Sequence, residues 1–193
     1  ITGIDLVKEQ IRVAMGEELS FKQEELAING HAVEVRVYAE DPANNFLPDI
    51  GKLTTYSPPK GPGIRVDDGF EQGMDIPIYY DPMIAKLVAH GKDRKEAIER
   101  MVRAIDEYKI TGVTTTLSFC RFVLSHEAFT SGNFDTHFVK AHFLPEFLSS
   151  QTDDEAEIAA ILALTAQAND RKILAQTHQS DTFKRSKWKS NRS

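Results

Sequence analysis

The sequence predicts an α+β fold in which a mostly antiparallel sheet of short strands is flanked by helices. One stretch alternates strictly between β-branched and polar residues, as a half-buried strand does. Most prolines and glycines fall between residues 41 and 81, which is typical of short strands joined by tight loops. Helical periodicity precedes and follows this region, and the order of helix, strands and helices favours α+β over alternating βαβ units.

The first element is a predicted helix that begins after Asp5 and ends at Gly16. A short acidic residue is a favoured N-cap, and glycine is a favoured C-terminal stop. Between these two residues the apolar side chains recur at helical spacing: Val7, Ile11, Ala14 and Met15. Residues 17–31 are polar and end in the turn signal Asn29-Gly30.

The next element is the strand in "GHAVEVRVYAEDP", residues 30–42, which carries two unlike faces. Valines alternate on one face, and Glu34, Arg36 and Tyr38 follow one another on the second. The pattern favours a solvated face, because antiparallel sheets commonly expose one side to water. The alternative is a functional site centred on Arg36.

Short strands are expected at residues 51–56 and 63–67, and a longer one at 84–89. Asp93 and Glu96 then have capping-box spacing before an apolar stripe, which predicts a helix. Two further helices are predicted, at about 115–125 and 135–147.

The last part of the chain differs in composition. Residues 149–170 are acidic at first and then rich in alanine, which predicts a helix, and residues 184–193 are basic. We interpret the basic end as a solvated terminus in preference to a nucleic-acid contact.

The composition limits the classes of function. The chain has 193 residues, 41% hydrophobic and 27% charged, with a formal net charge of −6, which argues against a nucleic-acid surface. No apolar run approaches the ~20 residues needed to span a bilayer, and no signal peptide is visible at the start. The single cysteine, Cys120, predicts a reducing, cytoplasmic location and lies in an apolar pattern that indicates a buried, unreactive thiol.

Familiar catalytic and metal-binding patterns are not found in the sequence. "GKLTTYSPPKGPG" lacks the ending and the strand–loop–helix context of a phosphate-binding loop. His137 and His142 are five residues apart, a poor spacing for a metal pair, so no metal site is expected. From spacing alone the chain is interpreted as a binding or scaffolding domain with one unusual arginine.

A resemblance to one family adds to this interpretation. Five stretches occur in the order of the C-terminal part of biotin carboxylase, the ATP-grasp component of biotin-dependent acetyl-CoA, propionyl-CoA and pyruvate carboxylases: "TGIDLVKEQIRVAMGEEL", "GHAVEVRVYAEDP", "FLPDIGKL", "YYDPMIAKL" and "TGVTTTLSF". The resemblance covers about residues 1–148, which we expect to be the C-terminal domain, with residues 149–193 as a helical and basic extension.

The resemblance implies roles for individual residues. Arg36 matches the arginine that faces biotin and is the expected catalytic residue. Glu34 is expected to support Arg36. Asp81 is expected to be an ion-pair partner of Arg36 or part of the biotin pocket, with a turn aspartate before Pro82 as the alternative. Tyr80 is a candidate for packing along biotin, although a core position is favoured. Arg65 matches an arginine at the dimer interface of the bacterial enzyme, with a solvated loop residue as the alternative.

The resemblance also implies an assembly. Biotin on a carrier domain, ATP and Mg²⁺ are expected in the full-length enzyme, with a carboxyltransferase component and a second copy of the chain as partners. The family's nucleotide, metal and bicarbonate residues precede the matched stretch, so we expect a fragment that binds no cofactor and is inactive alone. The expected function is carboxylation of carrier-bound biotin in an acyl-CoA carboxylase, with a link to fatty acid biosynthesis. The alternative is a non-catalytic module for dimerisation or carrier docking.

Overall fold

The computed structural model describes residues 1–77, 79–148 and 161–165. Short 3-10 turns cover Gln23–Glu25, Pro42–Asn44 and Pro145–Leu148. The named α-helices are α1 (Leu6–Ala14), α2 (Arg94–Glu107), α3 (Leu117–Ser125), α4 (Glu127–Ser131) and α5 (Phe138–His142). The strands are β1 (His31–Tyr38), β2 (Glu40–Asp41), β3 (Leu47–Pro48), β4 (Thr55–Ser57), β5 (Ile64–Asp68), β6 (Met83–Gly91) and β7 (Lys109–Thr111).

All strand pairs in the described residues are antiparallel, which confirms the α+β prediction. The main sheet has the order β1-β6-β5, and two small sheets pair β2 with β3 and β4 with β7. The longest strand, β6, lies in the centre and pairs with β1 on one side and β5 on the other. This arrangement brings one face of the three strands together as a continuous surface.

The hydrophobic core lies between the other face of this sheet and α2. Val37 and Leu87 are fully buried on β1 and β6, and Ala97, Met101 and Ala104 are fully buried on α2. Because side chains alternate along a strand, burying the valines of β1 leaves Glu34 and Arg36 on the opposite face. The core therefore decides which side chains are presented to solvent.

The predicted helix starts are confirmed. The Asp5 side chain accepts a hydrogen bond from the Lys8 amide at the start of α1, and Asp93 accepts one from the Glu96 amide at the start of α2. Each carboxylate satisfies one of the amide groups that the first turn of a helix leaves unpaired.

The apolar stripe of α1 is exposed, and the buried residue of this helix is Glu9. Its carboxylate accepts hydrogen bonds from the amide and hydroxyl of Ser20 and from Arg12 Nη1. These donors hold the pKa of Glu9 below its ordinary value, and they tie the segment after α1 back onto the helix.

The helix predicted at 135–147 is wrong as a single element. The structure has α5 and then a 3-10 turn that begins at Pro145. Phe143 is extended after α5. Leu144 precedes Pro145, and a residue before proline is disfavoured in helical conformation, which separates the two turns. The short helix α4 and the strand β7 have no counterpart among the predicted elements.

The predicted tail helix and basic end lie outside the described residues, apart from residues 161–165, which are helical. No helix of the described residues has both the length and the hydropathy required to cross a membrane.

Candidate functional site

Arg36 lies on the exposed face of β1, between Glu34 and Tyr38. Its side chain is 58% exposed, and Nε is 3.5 Å from Glu34 Oε1. Hydrogen bonding to the side chains of Tyr38 and Glu34 raises the pKa of Arg36, so the guanidinium is held as a cation. Glu34 is therefore placed where it can support Arg36, and Tyr38 is a second neighbour to which the sequence assigns no role.

A buried threonine holds the backbone of β1 beside Arg36. The Thr116 hydroxyl donates to the Arg36 carbonyl (3.2 Å) and accepts from the Tyr38 amide (3.1 Å). Thr116 is 5% exposed and immediately precedes α3. No local pattern indicates this residue, because it is 80 positions from Arg36 in the sequence.

Asp81 lies in the exposed turn before β6, where its Oδ1 accepts a hydrogen bond from the Met83 amide (3.0 Å). Among the described residues, the carboxylate within ion-pair distance of Arg36 is that of Glu34, so the expected Arg36–Asp81 ion pair is not formed. A turn aspartate binds an amide two residues ahead without any tertiary contact. The charge of Asp81 instead affects Glu40: burial raises the pKa of Glu40, and repulsion from Asp81 raises it further.

Tyr80 is 82% exposed, so the core position favoured for it is wrong. It lies three residues before β6 and belongs to no strand of the sheet. Tyr80 lines a cavity of about 260 Å³ together with residues that are mostly proline or aliphatic: Pro48, Asp49, Ile50, Ile76, Pro77 and Pro82. The backbone of Ala39, just beyond β1, bonds to Pro82 and Asp49, which places this cavity next to the end of that strand.

Arg65 lies on β5, and its side chain is 74% exposed. It is therefore solvated, as the alternative expected, but it is a strand residue and not a loop residue. Arg65 makes a bidentate contact with Asp67, with Nε–Oδ1 at 2.8 Å and Nη2–Oδ2 at 2.6 Å. This pair lies on the same sheet face as Arg36.

Other candidate chemistry falls outside this face. Cys120 packs against the core, and burial raises the pKa of its thiol to about 12, which keeps it protonated near neutral pH. Within the described residues, no group of three or more His, Cys, Asp or Glu side chains is arranged to hold a metal ion.

The sequence of residues 34–141 matches the model of the biotin carboxylase C-terminal domain. The chain belongs to the biotin carboxylase C-terminal domain family. Three curated relatives illustrate the similarity. A pyruvate carboxylase component of Methanothermobacter thermautotrophicus is 54% identical over 139 residues, which are 72% of this chain and 28% of that protein. Biotin carboxylase 1 of Bacillus subtilis is 50% identical, over 74% of this chain and 32% of that protein. The mitochondrial propionyl-CoA carboxylase alpha chain of Homo sapiens is 52% identical, over 72% of this chain and 19% of that protein.

Solved structures of biotin carboxylases have the same fold. A biotin carboxylase subunit of pyruvate carboxylase has a TM-score of 0.73 at 41% identity, over 79% of this chain and 33% of that one. A second structure is the biotin carboxylase domain dimer of Hydrogenobacter thermophilus 2-oxoglutarate carboxylase, in complex with MgADP, ADP and bicarbonate. It has a TM-score of 0.71 at 41% identity, over 74% of this chain and 31% of that one. The chain thus spans about a third or less of the length of these relatives.

Proposed function

We propose that this C-terminal domain forms one wall of the biotin site in a biotin carboxylase, with Arg36 as the catalytic residue. The observation that carries the proposal is an exposed, permanently charged guanidinium, aligned by Glu34 and Tyr38 inside the segment that matches the family model.

The chemistry of biotin explains the choice of arginine. The ureido oxygen gains negative charge when the neighbouring nitrogen becomes nucleophilic. A guanidinium is always charged and offers several donors in a fixed plane, so it stabilises this oxygen without reorganising. Glu34 and Tyr38 restrict the orientation of the guanidinium, since both flank it on the same strand face.

The cofactors belong to the complete enzyme. Biotin on a carrier domain supplies the acceptor nitrogen, and MgATP with bicarbonate supplies the activated carboxyl group. We assign biotin contacts to Arg36, with Asp81 and Tyr80 at the edge of the same site. The acceptor component is proposed to be an acyl-CoA carboxyltransferase, in keeping with the propionyl-CoA carboxylase relative. Cytoplasmic location, a link to fatty acid biosynthesis and the domain boundary at residues 148/149 stay predictions.

The test uses the complete protein that contains this chain. Biotin-dependent ATP hydrolysis with bicarbonate is measured for the wild type, Arg36→Met and Arg36→Lys. Loss of one charge-stabilising donor is expected to lower kcat by roughly 10²–10³-fold in Arg36→Met. Arg36→Lys keeps the charge and is expected to retain part of the activity. Unchanged turnover in Arg36→Met contradicts the proposal.

A second role, dimerisation, is favoured by the position of Arg65. Its exposed side chain is already oriented by Asp67, as a contact residue would be. Arg65→Ala is expected to shift the complete protein toward monomer in light scattering, while Arg36→Met remains a dimer. Equal dimer content in wild type and Arg65→Ala contradicts this role.

A further inference from the structure

We propose that Lys86 is a second cation of the Arg36 site and that the two side chains together bind the anionic oxygens of carboxylated biotin. The inference rests on the proposed function and adds a residue to it. Lys86 lies on β6 directly opposite Arg36 in the β1–β6 register. Residues that are opposite in an antiparallel pair point to the same face, so the ammonium and guanidinium groups share the exposed side of the sheet.

On the third strand, Asp67 of β5 is opposite Lys86, so Arg36, Lys86 and Asp67 form one row across the sheet. Both oxygens of Asp67 accept hydrogen bonds from Arg65. Hydrogen bonding from Arg65 lowers the pKa of Asp67, and the Lys86 charge lowers it further. Within the described residues, no carboxylate lies within the 4.0 Å ion-pair distance of Lys86 Nζ, whereas Arg36 has Glu34 and Arg65 has Asp67.

Like charges at directly opposite positions destabilise a sheet. Arg36 and Lys86 are such a pair, and Lys86 is half-buried, so its charge is only partly screened by water. An anion bound between the two strands removes this repulsion and converts the cost into binding free energy. The juxtaposition is therefore suited to a ligand that is negatively charged at this position.

Carboxylated biotin meets this requirement, because its new carboxylate lies beside the ureido oxygen. A planar guanidinium matches the ureido oxygen, and a compact ammonium on a flexible stem matches a carboxylate next to it. Neighbouring antiparallel strands place opposite side chains about 5 Å apart at Cβ, a spacing that one small ligand bridges.

The experiment compares Lys86→Met, Lys86→Arg and Lys109→Met in the complete protein, with free biotin as the varied substrate and saturating MgATP and bicarbonate. Lys109 is a matched control, since it is an exposed strand lysine on a different sheet. We expect kcat/KM for biotin to fall by roughly 10–100-fold in Lys86→Met and to recover to within about threefold in Lys86→Arg. Lys109→Met is expected to match the wild type.

Three results overturn the inference. The first is a wild-type kcat/KM for biotin in Lys86→Met. The second is an equal loss in Lys86→Arg, because charge is then not the relevant property. The third is a loss that coincides with a lower Tm or with dissociation of the dimer. Arg36→Met in the same assay separates the two proposals. Normal turnover in Arg36→Met contradicts the proposed function itself. Lost turnover in Arg36→Met together with a normal kcat/KM in Lys86→Met contradicts only the role of Lys86.

Discussion

Glu34 Oε1 lies 3.5 Å from Arg36 Nε, and both side chains are on the exposed face of one strand. Residues two apart in a strand share a face, so this contact requires no tertiary arrangement. An exposed ion pair of this kind contributes little to stability, which indicates that its effect is on the orientation of the guanidinium.

Glu34→Gln is expected to lower the kcat of biotin carboxylation by about threefold to tenfold, with an unchanged Tm. The amide keeps the size of the side chain and loses the charge that holds Arg36, so fewer molecules have the guanidinium in position. Steady-state kinetics and thermal unfolding of the complete protein measure both quantities. A fall in Tm that accounts for the lost activity contradicts a positioning role.

The second prediction concerns two tyrosines that share a hydrogen bond. Tyr56 Oη donates to Asp68 Oδ2 (2.9 Å), and it lies 2.7 Å from Tyr108 Oη. Tyr108 is 6% exposed, and burial raises the pKa of its hydroxyl to about 12. Tyr56→Phe removes the hydroxyl that both Asp68 and Tyr108 contact, so we expect a loss of about 1–3 kcal/mol in the free energy of unfolding.

Tyr108→Phe removes only the contact between the two hydroxyls and is expected to cost less than Tyr56→Phe. Urea unfolding of both variants checks the order. The reverse order means that Asp68 contributes nothing to the network.

The third prediction compares two glycines with positive φ, Gly112 (98°) and Gly132 (82°). A Cβ on Gly112 meets the Lys52 carbonyl oxygen and approaches the Thr54 amide to 3.0 Å, whereas a Cβ on Gly132 meets nothing within 4 Å. Gly132→Ala is expected to cost about 1 kcal/mol from backbone strain alone. Gly112→Ala adds an overpacking clash and is expected to cost about 3 kcal/mol or more.

Chemical denaturation measures both glycine variants. Similar losses in the two variants contradict the close approach of Gly112 to the segment that carries Lys52.

The fourth prediction concerns the pH dependence of stability. Burial and the Asp81 charge raise the pKa of Glu40 above its ordinary value of 4.5. The folded chain therefore binds this proton more tightly than the unfolded chain, and the contribution of Glu40 to stability is lost as pH rises from 4.5 through the folded value. Near neutral pH, Glu40→Gln is expected to be more stable than the wild type.

The difference between Glu40→Gln and the wild type is expected to vanish below about pH 4, where the carboxyl is protonated in both states. Asp81→Asn is a matched variant that removes the second cause and is expected to give a smaller gain. Urea unfolding over a pH series provides the test. A stability difference that does not change with pH contradicts an electrostatic origin.

The local features of this chain are predictable from its sequence. Asp5 and Asp93 begin helices because a carboxylate reaches an amide three residues ahead, and the valines of β1 are buried because strand side chains alternate. The two faces of β1, the antiparallel α+β class and the family itself follow from patterns within short segments or from their order.

Contacts between distant segments are decided by the tertiary structure. The sequence leaves Asp81 open between a partner of Arg36, a part of the biotin pocket and a turn residue. In the structure its carboxylate accepts from the Met83 amide, as in a turn, and Glu34 is the carboxylate beside Arg36. The sequence also favours a core position for Tyr80, yet this residue lies outside the strands and its side chain is exposed. Thr116 and Lys86 are 80 and 50 positions from Arg36, and only strand register and helix packing bring them to it. A sequence pattern specifies which way a side chain points along its own strand, whereas its neighbours across the sheet depend on the pairing that minimises the free energy of the whole core.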